Sequence, residues 1–131
     1  MKIEFTKAHG AGNDFIIIHN NKCYNKITTS NFIKKICNRK LGVGADGLIL
    51  ISDSNRHDYK MDYFNNDGTW ETVCANGARC AALLMYNKGK CGNEICFTMG
   101  DGLHTAQIIN KNEVILSMLP PAYKTEIISL Y

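Results

Sequence analysis

The stretch "CANGARCAALLMYN", Cys74–Asn87, decides the fold. From Asn76 to Asn87 it reads as a helix, and Gly89 supplies the stop just beyond it. Its centre, "ARCAALLMY", is apolar almost all round. A helix without a polar face belongs inside a core rather than on a surface.

The flanking sequence supplies what could surround such a helix. "KIEFTKAHG" alternates and reads as a strand with Ile3 and Phe5 inward, and "DFIIIHN" (14–20) is an apolar run of strand length. "SNFIKKICNR" reads as a short helix with Ser30 as N-cap and Phe32, Ile33, Ile36 and Cys37 on one face. "LILIS" (48–52) is a strand. "DYKMDYFNNDG" and "TWETV" form two strands around an Asn-Asp-Gly turn. "EICFTM", "LHTAQII" and "EVILSM" make a meander turning at Gly100–Gly102 and Asn110–Asn112, stopped by Pro120-Pro121. The expected class is α+β: a barrel-like mixed sheet of short strands around a buried central helix.

The chain has 131 residues, 45% hydrophobic and 21% charged, which suits one packed domain. A net charge of +3 is too mild for a nucleic-acid binder, and Lys34, Lys35, Arg39 and Lys40 read as a solvated helix face. No segment approaches the ~18 apolar residues of a membrane span, and "MKIEFTKAHG" has no signal-peptide core. A cytoplasmic setting with reduced thiols is the default expectation. The six cysteines include no CxxC pair, and His9, His19, His57 and His104 are scattered. The spacing offers no metal site.

Cys74 and Cys80 are six residues apart, so along a helix they are separated by roughly 9 Å, beyond the ~7 Å that a disulfide spans. Cys80 precedes Leu83 and Leu84 by three and four residues and reads as core filler. Cys74 falls at the helix start, facing a cleft. There the free N–H groups and the macrodipole should lower a thiol's pKa. Small residues after it, Ala75-Asn76-Gly77, could cradle a carboxylate or phosphate. The residues alone leave two readings open: a functional thiol, or a buried cysteine beside an Asn-Gly turn. The polar glycine loops "HGAGNDF" (9–15), "RKLGVGADG" (39–47) and "YFNNDG" (63–68) strengthen the first.

In that order and spacing, "HGAGNDF", "LGVGADG", "YFNNDG" and "CANGARC" resemble the diaminopimelate epimerase family of cofactor-independent amino-acid racemases. The resemblance implies two mirror-like halves, each a sheet around a central helix, with one cysteine from each half facing the substrate. It makes residues 1–120 an N-terminal epimerase domain and 121–131 the start of a linker toward a C-terminal domain. It makes Cys74 catalytic. Asn13, Asn65, Ala75 and Asn76 hold the substrate, the last two through backbone N–H groups. Arg79 and Cys80 become parts of the helix.

By the same resemblance the activity is an isomerase without cofactor or metal. It interconverts LL- and meso-diaminopimelate by two-cysteine acid/base chemistry in lysine and peptidoglycan precursor synthesis. The partners implied are that amino-acid substrate and the C-terminal half, without which this half is inactive. No nucleic acid or membrane is implied, and a homodimer stays open. Three departures bear on substrate identity. Ala75 stands where Gly is usual, Gly47 where many members have a substrate-contacting Gln, and Trp70 brings an indole toward the site. A same-fold racemase of another amino acid and a non-catalytic truncated binding domain are the alternatives.

Overall fold

The computed structural model describes residues 2–20, 22–118, 120 and 125–129. Eight strands form one sheet: β1 (Thr6–Gly10), β2 (Asn13–His19), β3 (Gly47–Ser52), β4 (Tyr59–Asn65), β5 (Trp70–Glu71), β6 (Glu94–Met99), β7 (Gly102–Asn110) and β8 (Glu113–Ser117). The strand order is β1-β2-β3-β4-β6-β7-β8, with β5 paired to β4 alone. β2–β3 and β4–β6 are parallel and the other pairs antiparallel.

Among the described residues three helices accompany the sheet: α1 (Tyr24–Ile27), α2 (Ser30–Cys37) and α3 (Ala75–Asn87). α3 touches β1 and β8, the two edges of the sheet, as well as β2, β3, β4 and β7. The sheet therefore curls around it, as the apolar helix required. Small side chains allow the close approach: Gly77, Ala78, Ala81 and Ala82 are all buried. Phe15, Ile17, Ile49, Ile51, Tyr59, Met61 and Phe97 pack with them in one core. Each such side chain contributes roughly 1.5–3 kcal/mol when fully buried. α3 ends at Asn87 with Lys88 as its cap, and Gly89 follows at φ 71°, the left-handed conformation a helix stop favours.

A second core lies on the opposite face of the sheet. There Ile16, Ile18, Leu48, Leu50 and Phe64 pack against Ile27, Ile33 and Cys37 of the outer helices. The unbroken apolar run of β2 follows from this burial on both faces.

The structure corrects several local expectations. The first strand begins at Thr6, so Ile3 lies outside it and Phe5 is exposed rather than inward. The cap of α2 is Thr29 rather than Ser30, its hydroxyl accepting from the Phe32 N–H at 3.2 Å. α1, one turn long, carries no apolar period that would announce it. Residues 125–129 are exposed and irregular, while Pro121, residues 122–124 and the last two residues lie outside the described residues. Among the described residues no helix is long and apolar enough to cross a membrane.

Candidate active site at the start of the central helix

Cys74 is the N-cap residue of α3, with extended backbone angles (φ −146°, ψ 105°). The first bond along the helix runs from the Ala78 N–H to the Cys74 carbonyl at 2.8 Å. The N–H groups of Ala75, Asn76 and Gly77 therefore have no partner within the helix. Gly77 leaves room for the thiol: a methyl group there would lie 3.3 Å from Cys74 Sγ and 2.9 Å from Ile49 Cδ1.

The thiol's electrostatics reverse the expectation from its position. Burial pushes the Cys74 pKa up, against the opposing pull of the Gly77 and Asn76 N–H groups and the Arg79 charge. The side chain makes no capping hydrogen bond. A helix start favours thiolate only where the sulfur is solvated or firmly bonded, and here desolvation wins. Cys80 is likewise raised by burial and is half-buried, not enclosed. It borders a cavity of about 270 Å³ together with His9, Gly10, Arg79 and Glu113.

Strand alternation sets the other site residues. Asn13 shares a face with Phe15 and Ile17, and Asn65 with Tyr63 and Met61, all of which pack toward α3. Both asparagines sit at the strand ends nearest the helix start. Gly10, paired to Asn13, approaches that first turn closely enough that a methyl on it would be 3.3 Å from the Asn76 carbonyl oxygen. Tyr63 feels the Cys74 charge, although burial is the larger cause of its hydroxyl being pushed up to about 12. The Asn13 side chain has no hydrogen bond among the described residues. Asn65 donates to Thr69 Oγ1 (3.2 Å) and Glu71 Oε1 (3.0 Å). Asn76 Oδ1 accepts from Arg79, which ties the first turn of the helix to its second.

Two of the departures have a local structural setting. A side chain at Gly47 would run into the Tyr63 ring, 2.5 Å from its would-be Cβ, so this packing calls for glycine. Trp70 pairs with Phe64 and therefore lies on the sheet face away from α3. Its indole donates to Asp62 Oδ1 at 3.3 Å and packs on Gly100. Its neighbour Glu71 takes the site-facing position instead. The reading of the sequence missed Glu71, Thr69 and Tyr63, and period-two alternation from Asn65 back to Tyr63 was the available signal.

A salt-linked cluster behind the asparagines fixes the glycine loops. Asp14 receives Lys7 Nζ at 2.8 Å and both terminal nitrogens of Arg39 at 3.1 and 2.8 Å. The Asp14 N–H donates to Asp46 Oδ2 and the Asp46 N–H to Asp14 Oδ1, each at 3.0 Å. The Asn66 N–H then reaches the Asp46 carbonyl at 3.0 Å. The three glycine-bearing motifs are thereby joined in one network. The Arg39 guanidinium, first among several causes, holds the Asp14 carboxyl well below the usual carboxylate range. Among the described residues no three His, Cys, Asp or Glu side chains gather as a metal site.

Known proteins resemble this chain in sequence and in fold. The family model described as diaminopimelate epimerase matches residues 5–125. A diaminopimelate epimerase of Aquifex aeolicus is 35% identical, aligning 95% of this chain with 48% of that protein. One of Flavobacterium psychrophilum is 43% identical over 83% of this chain and 42% of its own length. The chain thus spans a little under half the length of these relatives. Among solved structures, a hydroxyproline epimerase from Agrobacterium vitis superposes with a TM-score of 0.65 at 13% identity, covering 90% of this chain and 42% of that one. A methylitaconate-delta-isomerase gives 0.66 at 12% identity, covering 86% and 36%. At such identities these two speak for the fold alone. The sequence matches carry more, and by them the chain belongs to the diaminopimelate epimerase family.

Proposed function

We propose that this chain forms one half of a diaminopimelate epimerase site, with Cys74 as the acid/base on one face of the substrate α-carbon. The observation that carries the reading is the helix start itself. One thiol and three N–H groups without a helical partner lie there, and Asn13 and Asn65 stand at ends of strands whose inner faces pack toward the same helix.

Inverting an α-carbon without a cofactor requires a base on one face and an acid on the other. Burial favours the neutral thiol of Cys74, the form that delivers a proton. In the reverse direction the same sulfur, as thiolate, removes the proton. The Ala75 and Asn76 N–H groups are the donors for the substrate carboxylate, where charge develops as the α-proton leaves. Asn13 and Asn65 orient the rest of the substrate. The second acid/base group belongs to a C-terminal half, in keeping with relatives about twice this length.

The test is α-proton exchange and inversion of diaminopimelate in deuterated water. The chain alone should give no inverted product. Fused to the C-terminal half of the Flavobacterium psychrophilum relative it should give inverted, deuterated product, and Cys74→Ala in that fusion should abolish it. Inversion by the isolated chain at an enzyme-like rate would sink the half-site reading.

A further inference from the structure

Cys96 is set apart from the thiols around α3 by its surroundings. Along β6, Ile95, Phe97 and Met99 face the core around the helix, so Cys96 lies on the outer face of the sheet. There its Sγ stands 3.8 Å from Nδ1 of His57, within reach of a thiol-to-imidazole hydrogen bond. Both residues are half-buried. The backbone braces the pair. The Cys96 N–H donates to Asp58 Oδ2 and the Asp58 N–H to the Cys96 carbonyl, each at 2.8 Å. The His57 N–H is itself bound to Ser54 Oγ at 3.2 Å. Cys96 also borders a cavity of about 390 Å³, the scale of a small-molecule site. The outer faces of β6, β7 and β8 form its wall. Thr105 and Ser117 contribute hydroxyls, Gln107 an amide, Glu94 a carboxylate and Ile115 an apolar end. Burial, meanwhile, pushes four other thiols up, Cys37 and Cys91 to about 11 and Cys74 and Cys80 in the same direction. Such thiols are slow to yield the reactive thiolate.

We propose that Cys96 and His57 form a thiol-exchange site that takes up a small amino-acid-derived disulfide, seated in this cavity. The Cys96 thiol gives its proton to His57 Nδ1, and the thiolate attacks one sulfur of the disulfide. A bond from Cys96 Sγ to that sulfur forms as the sulfur–sulfur bond of the reagent breaks. The leaving thiolate takes the proton from His57 and departs as a thiol. One thiol and one disulfide enter, and one mixed disulfide and one thiol result, so no further oxidant is consumed. Histidine suits the task because it takes up and gives back protons near neutrality. The cavity offers what an amino acid needs: the Glu94 carboxylate for its ammonium group, and the hydroxyls and amide for its carboxylate. The modified thiol lies on the sheet face opposite α3, so the site is separate from Cys74 and does not depend on the epimerase reading.

The experiment incubates the whole chain at neutral pH with cystine or with hydroxyethyl disulfide, which carries no charged group. Peptide mapping by mass spectrometry reads the rate of mixed-disulfide formation at each cysteine. The Cys96 rate is divided by that of Cys23, the cap of α1, which cancels the intrinsic reactivity of each reagent. With cystine, Cys96 should lead Cys23 by about tenfold or more, a modest share of what a positioned base supplies. His57→Gln should bring that lead toward one. The lead should also be smaller with hydroxyethyl disulfide. If His57→Gln merely loosened the join of β4 and β6, Cys96 and Cys91 would both react faster, so the sign of the change separates a lost base from a lost contact. His57→Ala is the second variant and serves if His57→Gln does not fold; added imidazole should restore part of its Cys96 rate. Cys96 reacting no faster than Cys23 overturns the site. A Cys96 rate unchanged or raised in His57→Gln overturns the proton transfer. Equal leads with the two disulfides overturn the seating of an amino acid in the cavity.

Discussion

Asp14, at the start of β2, and Arg39, in the loop after α2, form a two-point ion pair: both terminal nitrogens of the guanidinium donate to the carboxylate, at 3.1 and 2.8 Å. Arg39 also reaches Asp46 at 3.0 Å. The planar fork of arginine suits this geometry, and a lysine would lose one of the two bonds. Asp14 directly follows Asn13, so the pair fixes the backbone that presents a candidate substrate contact.

Acid should therefore weaken the fold through Asp14. Its carboxyl is depressed below the ordinary value of 3.8 in the folded chain. The folded state thus binds this proton less readily than the unfolded chain. The resulting stability is present above 3.8 and is lost as pH falls through that value toward the lower folded one. Denaturant midpoints should drop more steeply below this pH in the parent chain than in Asp14→Asn. Parallel curves would remove Asp14 from the account.

Cys74 should be a sluggish nucleophile in the isolated chain. Burial raises its pKa, so its alkylation by iodoacetamide should rise to a midpoint above that of an ordinary thiol. Peptide mapping after short labelling over a pH series reads this directly. A midpoint near neutrality would mean that the helix start outweighs burial after all.

Cys74→Ala and Cys80→Ala should cost similar stability, about 1 kcal/mol each. Both thiols are half-buried against the same core. Paired denaturation curves decide it, and a gap well beyond ~1 kcal/mol would show that one site is far better packed than the other.

Gly47→Ala should be costly, by about 1–3 kcal/mol from overpacking. The added carbon would sit 2.5 Å from the Tyr63 ring and 2.7 Å from the Phe64 carbonyl oxygen. Pairing it with Tyr63→Ala should recover little, because the backbone oxygen stays in place. A thermal melt of the two variants measures both effects.

The architecture was legible because one helix had no polar face, and short strands wrapped around such a helix bury it. The meander and its turns followed from alternation and glycine placement. The Asn-Asp-Gly turn holds because Gly68 takes φ 89°. What the sequence hid was set by sheet register. Trp70 and Glu71 are adjacent, yet pairing with Phe64 and Tyr63 sends the first away from the site and the second toward it. The state of Cys74 was hidden for another reason. Helix position is local, whereas desolvation depends on Ile49, Met61 and Tyr63, which the fold brings from elsewhere. The network around Asp14 likewise joins residues that nothing in the spacing pairs.

The parallel seam between β4 and β6 has a consequence in time. Among the described residues five strands precede α3 and three follow it, and the two groups pair as strands at Tyr59–Phe97 and Lys60–Thr98. A pair of bonds between Asp58 and Cys96, each 2.8 Å, borders the join. The seam closes a loop of nearly forty residues, the separation of Asp58 and Cys96, and holds only two residue pairs, whereas the parallel β2–β3 pair spans a comparable loop and holds five. Pairings of that reach are slow to form. The helix, lying between the groups in sequence, is the surface on which each can first gather. Amide exchange should accordingly find the seam opening ahead of the β2–β3–β4 centre, with the hinge of the molecule falling inside its sheet.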